Sequence, residues 1–281
     1  YDGVGNRTLH VLPSGKEEGC TFTAANQVNV RTVPGEVRLH GRAASGNRVT
    51  VTYGASTYAA HQDGTRWFAV VPVDNGSGPV AATLTVNEYT PGVSEPVSTE
   101  VTRFVPDDGV TWVYDGRGNR TADGLYEYTW DAEDRLESVE ICQTLRDDTN
   151  LDDDKKVKLA FAYDAFGRRV SKTVYHWDRT QNDNAGGWVE QSSLKFVWAG
   201  WLLVAEFKDV SGTYKLWRSY VWGPGPGGVG GLMECREHNL STRAVIHRYQ
   251  PVYDDNGNVT AYRDADETTP ADAILAAFEY S

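Results

Sequence analysis

One short pattern recurs along this chain and constrains what it can fold into: Tyr-Asp, two variable residues, Gly, then Asn or Arg. It stands at Tyr1-Asp2-Gly3-Val4-Gly5-Asn6-Arg7, at Tyr114-Asp115-Gly116-Arg117-Gly118-Asn119-Arg120, at Tyr163-Asp164-Ala165-Phe166-Gly167-Arg168-Arg169 and at Tyr253-Asp254-Asp255-Asn256-Gly257-Asn258-Val259. A decayed copy, Trp130-Asp131-Ala132-Glu133-Asp134-Arg135-Leu136, puts Asp134 where the glycine is expected. The spacing has a physical reason. Asp is favoured at the first position of a type I turn, where its carboxylate accepts nearby backbone N–H groups. A glycine three residues later can take positive φ and form a bulge, which suits a strand reversal. The aromatic before the Asp then ends the incoming strand.

The flanks agree with strands. Val157, Leu159, Phe161 and Tyr163 alternate with Lys158, Ala160 and Ala162, and Val170 to Tyr175 is again rich in β-formers. The repeating unit is therefore a β-hairpin. A lone hairpin is marginal in water, whereas hairpins set side by side bury a continuous face. Asp-x-x-Gly alone is a common turn; the preceding Tyr and the following pair set these copies apart.

Residues 33–106 lack the Tyr-Asp turn. Pro34-Gly35 opens this stretch and Pro106-Asp107-Asp108-Gly109 closes it. Short strands are predicted at Glu36–Gly41, Arg48–Tyr53, Arg66–Pro72, Val80–Glu88 and Ser98–Val105. Five or six strands at this spacing predict a small β-sandwich. The runs Val49–Tyr53, Phe68–Val73 and Ala82–Val86 resemble bacterial immunoglobulin-like modules in pattern. Such a module, set between the strands near Val30 and Thr111, reads as a spacer outside the main body, with display or glycan contact as the alternative.

The repeats carry a family resemblance. The chain resembles the YD-repeat proteins: bacterial Rhs proteins, related toxin-complex shells and the teneurins. Trp198-Ala199-Gly200-Trp201 with the apolar strand after it, Tyr220-Val221-Trp222-Gly223-Pro224, and Gly227-Gly228-Val229-Gly230-Gly231-Leu232 resemble the Rhs core. At Trp198-Ala199 the family's usual Tyr-Asp is replaced. The likeness covers residues 1–32 and, more densely, 107–281. It implies an all-β fold, a spiral of stacked hairpins forming a hollow shell, interrupted by the immunoglobulin-like module. It implies three parts: 1–32, 33–106 and 107–281. It also implies a large secreted or cell-surface bacterial parent that encloses a cargo at its far C-terminus. The partners are then the rest of the shell and that cargo. The family's self-cleaving aspartates are expected beyond Ser281, so no catalytic residue is carried over. The chain begins inside one motif and stops inside another, and is expected to be a fragment.

Other chemistry is weaker. Gly225 to Gly230 fits G-x-G-x-x-G, but Pro226 lacks an N–H and no helical period follows, so no dinucleotide site is expected. Asp148, Asn150, Asp152 and Asp154 alternate as calcium ligands do, although Asp153 stands where an EF-hand needs Gly and Leu159 where it needs Glu. A solvated loop is the plainer reading. Cys20, Cys142 and Cys235 have no zinc or disulfide-framework spacing, the six histidines have no metal spacing, and no Gly-x-Ser-x-Gly is present. No cofactor is expected. A net charge of −12 argues against nucleic acid and anionic membranes as partners. No run of 18 apolar residues or signal peptide is present.

Among the nine tryptophans, Trp177, Trp188, Trp198, Trp201, Trp217 and Trp222 crowd the C-terminal half. Trp177, Trp188, Trp198 and Trp201 are the candidates for sugar contact. Packing between neighbouring strands is the commoner use of such residues. The expected function is a non-catalytic shell or scaffold segment, with a carbohydrate-binding or adhesion surface as the alternative.

Overall fold

The computed structural model describes residues 1–225, 228–266 and 274–278. The fold is all-β, with antiparallel sheets and only short helical turns. The chain divides into two compact units, Tyr1–Val157 and Lys158–Ser281.

The first unit begins with β1 (Leu9–Val11), β2 (Glu17–Phe22) and β3 (Val28–Thr32). Seven strands follow: β4 (Glu36–Arg42), β5 (Arg48–Tyr53), β6 (Ser56–Ala59), β7 (His61–Asp63), β8 (Arg66–Pro72), β9 (Val80–Tyr89) and β10 (Val97–Val105). The chain then returns as β11 (Gly109–Thr111), antiparallel to β3, with Gly109 opposite Thr32 and Thr111 opposite Val30. Residues between Thr32 and Gly109 thus make an excursion that leaves and rejoins one sheet, ordered β1-β2-β3-β11.

The excursion is two sheets, ordered β10-β9-β5-β6 and β4-β8-β7. Inward residues at period two fill the space between them: Val37 and Leu39, Val51, Ala69 and Val71, Ala82 and Leu84, and Val105 are all buried. Each large apolar side chain buried in this way stabilises the fold by roughly 1.5–3 kcal/mol. The sequence suggested five or six strands here and the structure has seven. The unforeseen pair, β6 and β7, is short and mostly exposed, with no apolar alternation to announce it.

The chain crosses between sheet and excursion at a tight neck. The buried Asn75 side-chain amide donates to the carbonyls of Val33 (3.0 Å) and Pro106 (2.8 Å), one on each crossing. The Asp108 N–H donates to the Asn75 carbonyl, and the Val33 N–H to the Asp108 carbonyl. Gly35 is needed at this neck: a Cβ there would come within 2.1 Å of the Val73 carbonyl oxygen.

The remaining strands are β12 (Val113–Tyr114), β13 (Arg120–Ala122), β14 (Tyr126–Trp130), β15 (Leu136–Ile141), β16 (Val157–Tyr163), β17 (Arg169–Asp178), β18 (Gly187–Ala199), β19 (Leu202–Val210), β20 (Thr213–Gly225), β21 (Gly228–His238), β22 (Val245–Tyr253), β23 (Val259–Asp264) and β24 (Ile274–Ala277). They form one 13-stranded sheet in which spatial order is chain order, a meander. Short helical turns interrupt it, α1 (Gln143–Asp147), a 3-10 turn at Asp153–Lys155 and α2 (Gln181–Asn184). Gly225 and Gly228 are paired across the β20–β21 hairpin, so the glycine-rich G-x-G-x-x-G stretch runs into a strand and not a helix; Pro226 and Gly227 lie outside the described residues.

Candidate functional site

The repeated turns share one geometry. Asp2, Asp115, Asp131, Asp164 and Asp254 each donate their N–H to the carbonyl four residues on, at 2.9–3.0 Å. In each, the N–H three residues on (Gly5, Gly118, Asp134, Gly167, Gly257) returns to the aspartate carbonyl at 3.0–3.2 Å. One carboxylate oxygen accepts two further N–H groups: Val4 and Asn6, Arg117 and Asn119, Glu133 and Arg135, Phe166 and Arg168, Asn256 and Asn258. The other oxygen accepts from the side chain of that last residue, Asn6, Asn119, Arg135, Arg168 or Asn258. Gly5, Gly118, Gly167 and Gly257 have φ of +78° to +95°, and Asp134 holds +60° without a glycine's freedom. The ladder slips one residue at Val113/Tyr114, Thr129/Trp130 and Val252/Tyr253, the bulge such a turn requires.

These bonds hold the five carboxyls below the usual aspartate range. The first cause is the Asn6 amide for Asp2, the Asn119 N–H for Asp115, the Arg168 guanidinium for Asp164 and the Asn258 amide for Asp254. At Asp131 burial works the other way, and the bonds from Arg135 outweigh it.

The residue after the glycine does more than close its own turn. Asn119 also donates to the Asp134 carboxylate (2.7 Å), and Arg117 reaches the Ala132 carbonyl (2.8 Å) and Asp134 (3.2 Å). Gln27 donates to the Gly118 carbonyl (3.2 Å). Asn6 bonds Asn26, and Arg168 bonds the Gly200 carbonyl. Asn6, Asn119 and Arg168, each the residue after the glycine, thus bond a second turn besides their own.

The aromatics tie strands together. The Tyr114 hydroxyl donates to the Val28 carbonyl (2.9 Å) and the Tyr253 hydroxyl to that of Leu232 (2.8 Å). The indole N–H of Trp130 donates to Arg120 (2.8 Å), of Trp198 to Arg169 (2.9 Å) and of Trp222 to Leu203 (2.6 Å). Each polar tip satisfies a carbonyl of another strand while its ring packs. Tyr163 is half-buried, and Tyr1 is 84% exposed.

The four sugar-contact candidates do not form one patch. Trp177 and Trp188 face each other across β17 and β18, edge to face at 5.2 Å, and Trp177 lies over Gly186. Trp198 and Trp201 sit at the other end of β18, ten residues away, or roughly 33 Å along a strand. Of the four, Trp201 is fully displayed (72% exposed), at a two-residue turn where Gly200 has φ +59°. This tight turn, with Ala199 opposite Leu202, differs from the Tyr-Asp turns and accounts for the missing Asp.

The calcium candidates also disperse. The Asp148 carboxylate accepts the Asn150 N–H (2.8 Å), and Asp154 pairs with Lys155 (2.8 Å). The buried Lys156 ammonium donates to the Asp148 carbonyl (2.7 Å) and pairs with Asp153 (3.3 Å), so the loop is organised around a cation of its own. Among the described residues, no group of three or more His, Cys, Asp or Glu could hold a metal.

A polar seam that the sequence did not signal crosses β19 to β22. The Tyr220 hydroxyl donates to buried Glu206 (2.5 Å), while Glu237 accepts from Tyr249 (2.8 Å) and Trp217 (3.3 Å). Burial, then the carboxylate partner, pushes the Tyr220 hydroxyl far up and that of Tyr249 to about 12. Burial opposes the Glu237 charge, but its two donors outweigh that and lower its pKa. Burial raises the neighbouring Cys235 thiol, which keeps it protonated and poorly nucleophilic. Here each carboxylate is held by donors, and on the same strands the Ser219 hydroxyl bonds the ring of buried His238 (2.8 Å). The partners lie on different strands, which is why no sequence spacing betrays them.

No family model matches the chain. A stretch of 117 residues is 34% identical to the tRNA3(Ser)-specific nuclease WapA of Bacillus spizizenii, covering 41% of this chain and 4% of that protein. A stretch of 61 residues is 44% identical to the tRNA nuclease WapA of Bacillus subtilis strain 168, covering 22% of this chain and 2% of that one. The chain thus matches only a few per cent of the length of these relatives. A porin-like protein from Bacteroides uniformis superposes with a TM-score of 0.34 at 9% identity, over 80% of this chain and 91% of that one, a likeness too slight to rank as a shared fold. Among the described residues, no helix is long and apolar enough to cross a membrane.

Proposed function

We propose that this chain is a wall segment of a YD-repeat, Rhs-type β-shell in a large exported bacterial protein, and that it encloses or displays another part of that protein without catalysing a reaction. The observation that carries this reading is the shared turn: five copies with one set of hydrogen bonds, the Asn or Arg of several reaching the next turn. A meander built in that way extends by adding hairpins. Residues 33–106 are read as an immunoglobulin-like spacer held outside the wall at the Asn75 neck. The partners are the remainder of the shell and a C-terminal cargo, and glycan contact is set aside because Trp177 and Trp188 pair with each other, Trp198 bonds the neighbouring strand and, of the four, Trp201 alone is displayed. The relatives are named as tRNA nucleases. The stretch shared with them is a few per cent of their length, and in this proposal any nuclease lies in another part of the parent.

The test is protease protection in the full-length parent. The region downstream of residue 281 should resist a protease while the wall is intact and become sensitive when Asp115, Asp164 and Asp254 are all replaced by Ala. Equal sensitivity in the unmodified parent would sink the enclosing role. Cleavage of tRNA by the 281-residue chain alone would sink the non-catalytic one.

A further inference from the structure

Strand alternation gathers one mixed cluster in the first unit, on the sheet ordered β1-β2-β3-β11. His10 of β1 stands opposite Glu18 of β2, and Cys20 of β2 opposite Arg31 of β3, so their side chains share a face. Trp112 follows β11 and is held beside β3, its backbone N–H donating to the Asn29 carbonyl (2.9 Å). Between them lies a cleft of about 150 Å³, with Val28, Cys20 and Trp112 as its apolar wall and Arg7, His10, Glu18 and Arg31 as its polar side. We propose that this cleft binds a small aromatic carboxylate of about the size of benzoate. The inference is independent of whether the wall encloses a cargo.

The polar side holds one unanswered charge. Glu18 is the single carboxylate among the lining residues, and Arg31 is committed to it, through Nε at 2.7 Å and through its terminal nitrogen. His10 turns Nδ1 toward Glu18 at 3.6 Å and enters the count as neutral. Glu17 alternates to the other face of β2, and the Asp2 carboxylate accepts from Val4 and Asn6 within its own turn. The Arg7 guanidinium forms no ion pair, hydrogen bond or ring contact among the described residues. The other arginines at this place in the repeat are spent on rings: Arg120 lies over Trp112 (4.5 Å) and Tyr128 (4.6 Å), and Arg169 over Phe161 (4.3 Å).

These features select the ligand. A free guanidinium presents two parallel N–H groups, which match both oxygens of a carboxylate. In a chain of net charge −12, a small anion is held only where a cation stands unanswered. The wall sets the body of the ligand, since a cavity of about 150 Å³ takes a benzene ring. Arg120 covers one face of the Trp112 indole and is itself answered by Asp123 (3.6 Å), which leaves the cleft's balance to Arg7. The Trp112 indole N–H, without a hydrogen bond among the described residues, is a further donor on the wall. A few polar groups set against an apolar wall is the usual make-up of a small-molecule site.

The experiment titrates benzoate into the whole 281-residue chain at neutral pH, by calorimetry and by the Trp112 indole N–H resonance, assigned with Trp112→Phe. Benzoate should shift that resonance saturably. Arg7→Gln, at an exposed position outside any strand, should weaken binding by about tenfold and leave the Tm unchanged. In the unaltered protein, benzyl alcohol keeps the ring without the charge and inorganic phosphate keeps a charge without the ring; each should bind about tenfold more weakly than benzoate. The proposal is overturned if benzoate leaves the resonance in place, if benzyl alcohol or phosphate binds as tightly, or if Arg7→Gln binds benzoate undiminished.

Discussion

Lys156 is 1% exposed in a stretch where the sequence suggests only solvated carboxylates. Its ammonium satisfies the Asp148 carbonyl and pairs with Asp153, which is the role a bound cation would have had. Lys156→Met should therefore leave the Asp148 carbonyl without this donor and remove the ion pair with Asp153, costing about 2–4 kcal/mol, read as a lower urea midpoint. By the same argument, millimolar calcium should leave the Tm of the unaltered protein where it is; a clear rise would mean that Asp148, Asn150, Asp152 and Asp154 bind the ion after all. Asn75 makes the second case. Its amide is the donor for two carbonyls at the neck of the excursion, and it is 4% exposed. Asn75→Ala should destabilise by about 2–4 kcal/mol, since both carbonyls lose a donor away from water. In calorimetry the loss should fall on the transition that includes residues 36–105. Neither role was legible in the sequence. A lysine after an acidic run looks like a solvated partner, and Asp-Asn-Gly looks like a surface turn, because the carbonyls that each serves come from residues brought near only by folding.

At the scale of the hairpin, the sequence was far more informative. Asp-x-x-Gly with a leading aromatic specifies the turn through contacts within five residues, so local chemistry sufficed. Two further turns lack the Asp signature. Leu12 to Lys16 and Thr23 to Gln27 close with the same pair of backbone bonds, and Asn26 takes φ +63°. There the carboxylate is missing: Thr23 offers its hydroxyl to the Gln27 N–H, and Leu12 has no acceptor to offer. The backbone can adopt the bulged turn without Asp, but the signature then fades. The stitching between turns was also hidden, although its agents were part of the repeat. The Asn or Arg after the glycine was visible as a preference; its second bond, to a neighbouring turn, was not. A double-mutant cycle tests that bond. Asn119→Ala and Asp134→Ala should each destabilise, and together by less than their sum, with a coupling of about 0.5 kcal/mol for a partly exposed pair. Strict additivity would mean that the 2.7 Å contact holds nothing.

Over the whole chain, the same turns set the response to pH. With 39 acidic and 27 basic residues, the protein repels itself at neutrality. Five aspartates are nevertheless held ionised below their ordinary 3.8 by bonds that exist only in the folded chain. On unfolding they return to about 3.8, so at lower pH the unfolded chain binds more protons and folding weakens. Their contribution is complete above that value and is lost as pH falls through the folded values beneath it. Glu18 and Glu237, lowered from 4.5, add to this acid limb. The alkaline limb has the opposite origin. Tyr114, Tyr126, Tyr128, Tyr220 and Tyr249 are raised above 10.0. Above pH 10 the unfolded chain ionises first, and stability is lost as pH climbs toward the folded values, about 12 for Tyr249. Thermal unfolding from pH 2 to 12 should show a plateau that falls away below about 4.5 and above about 10. The acid limb belongs to the turns in particular. Asp→Asn at positions 2, 115, 164 and 254 keeps an oxygen for the two backbone N–H groups but removes the titrating charge. The fourfold variant should have a lower Tm at pH 7 and a shallower decline below pH 4. An acid limb of unchanged steepness would assign acid lability to groups other than the repeat.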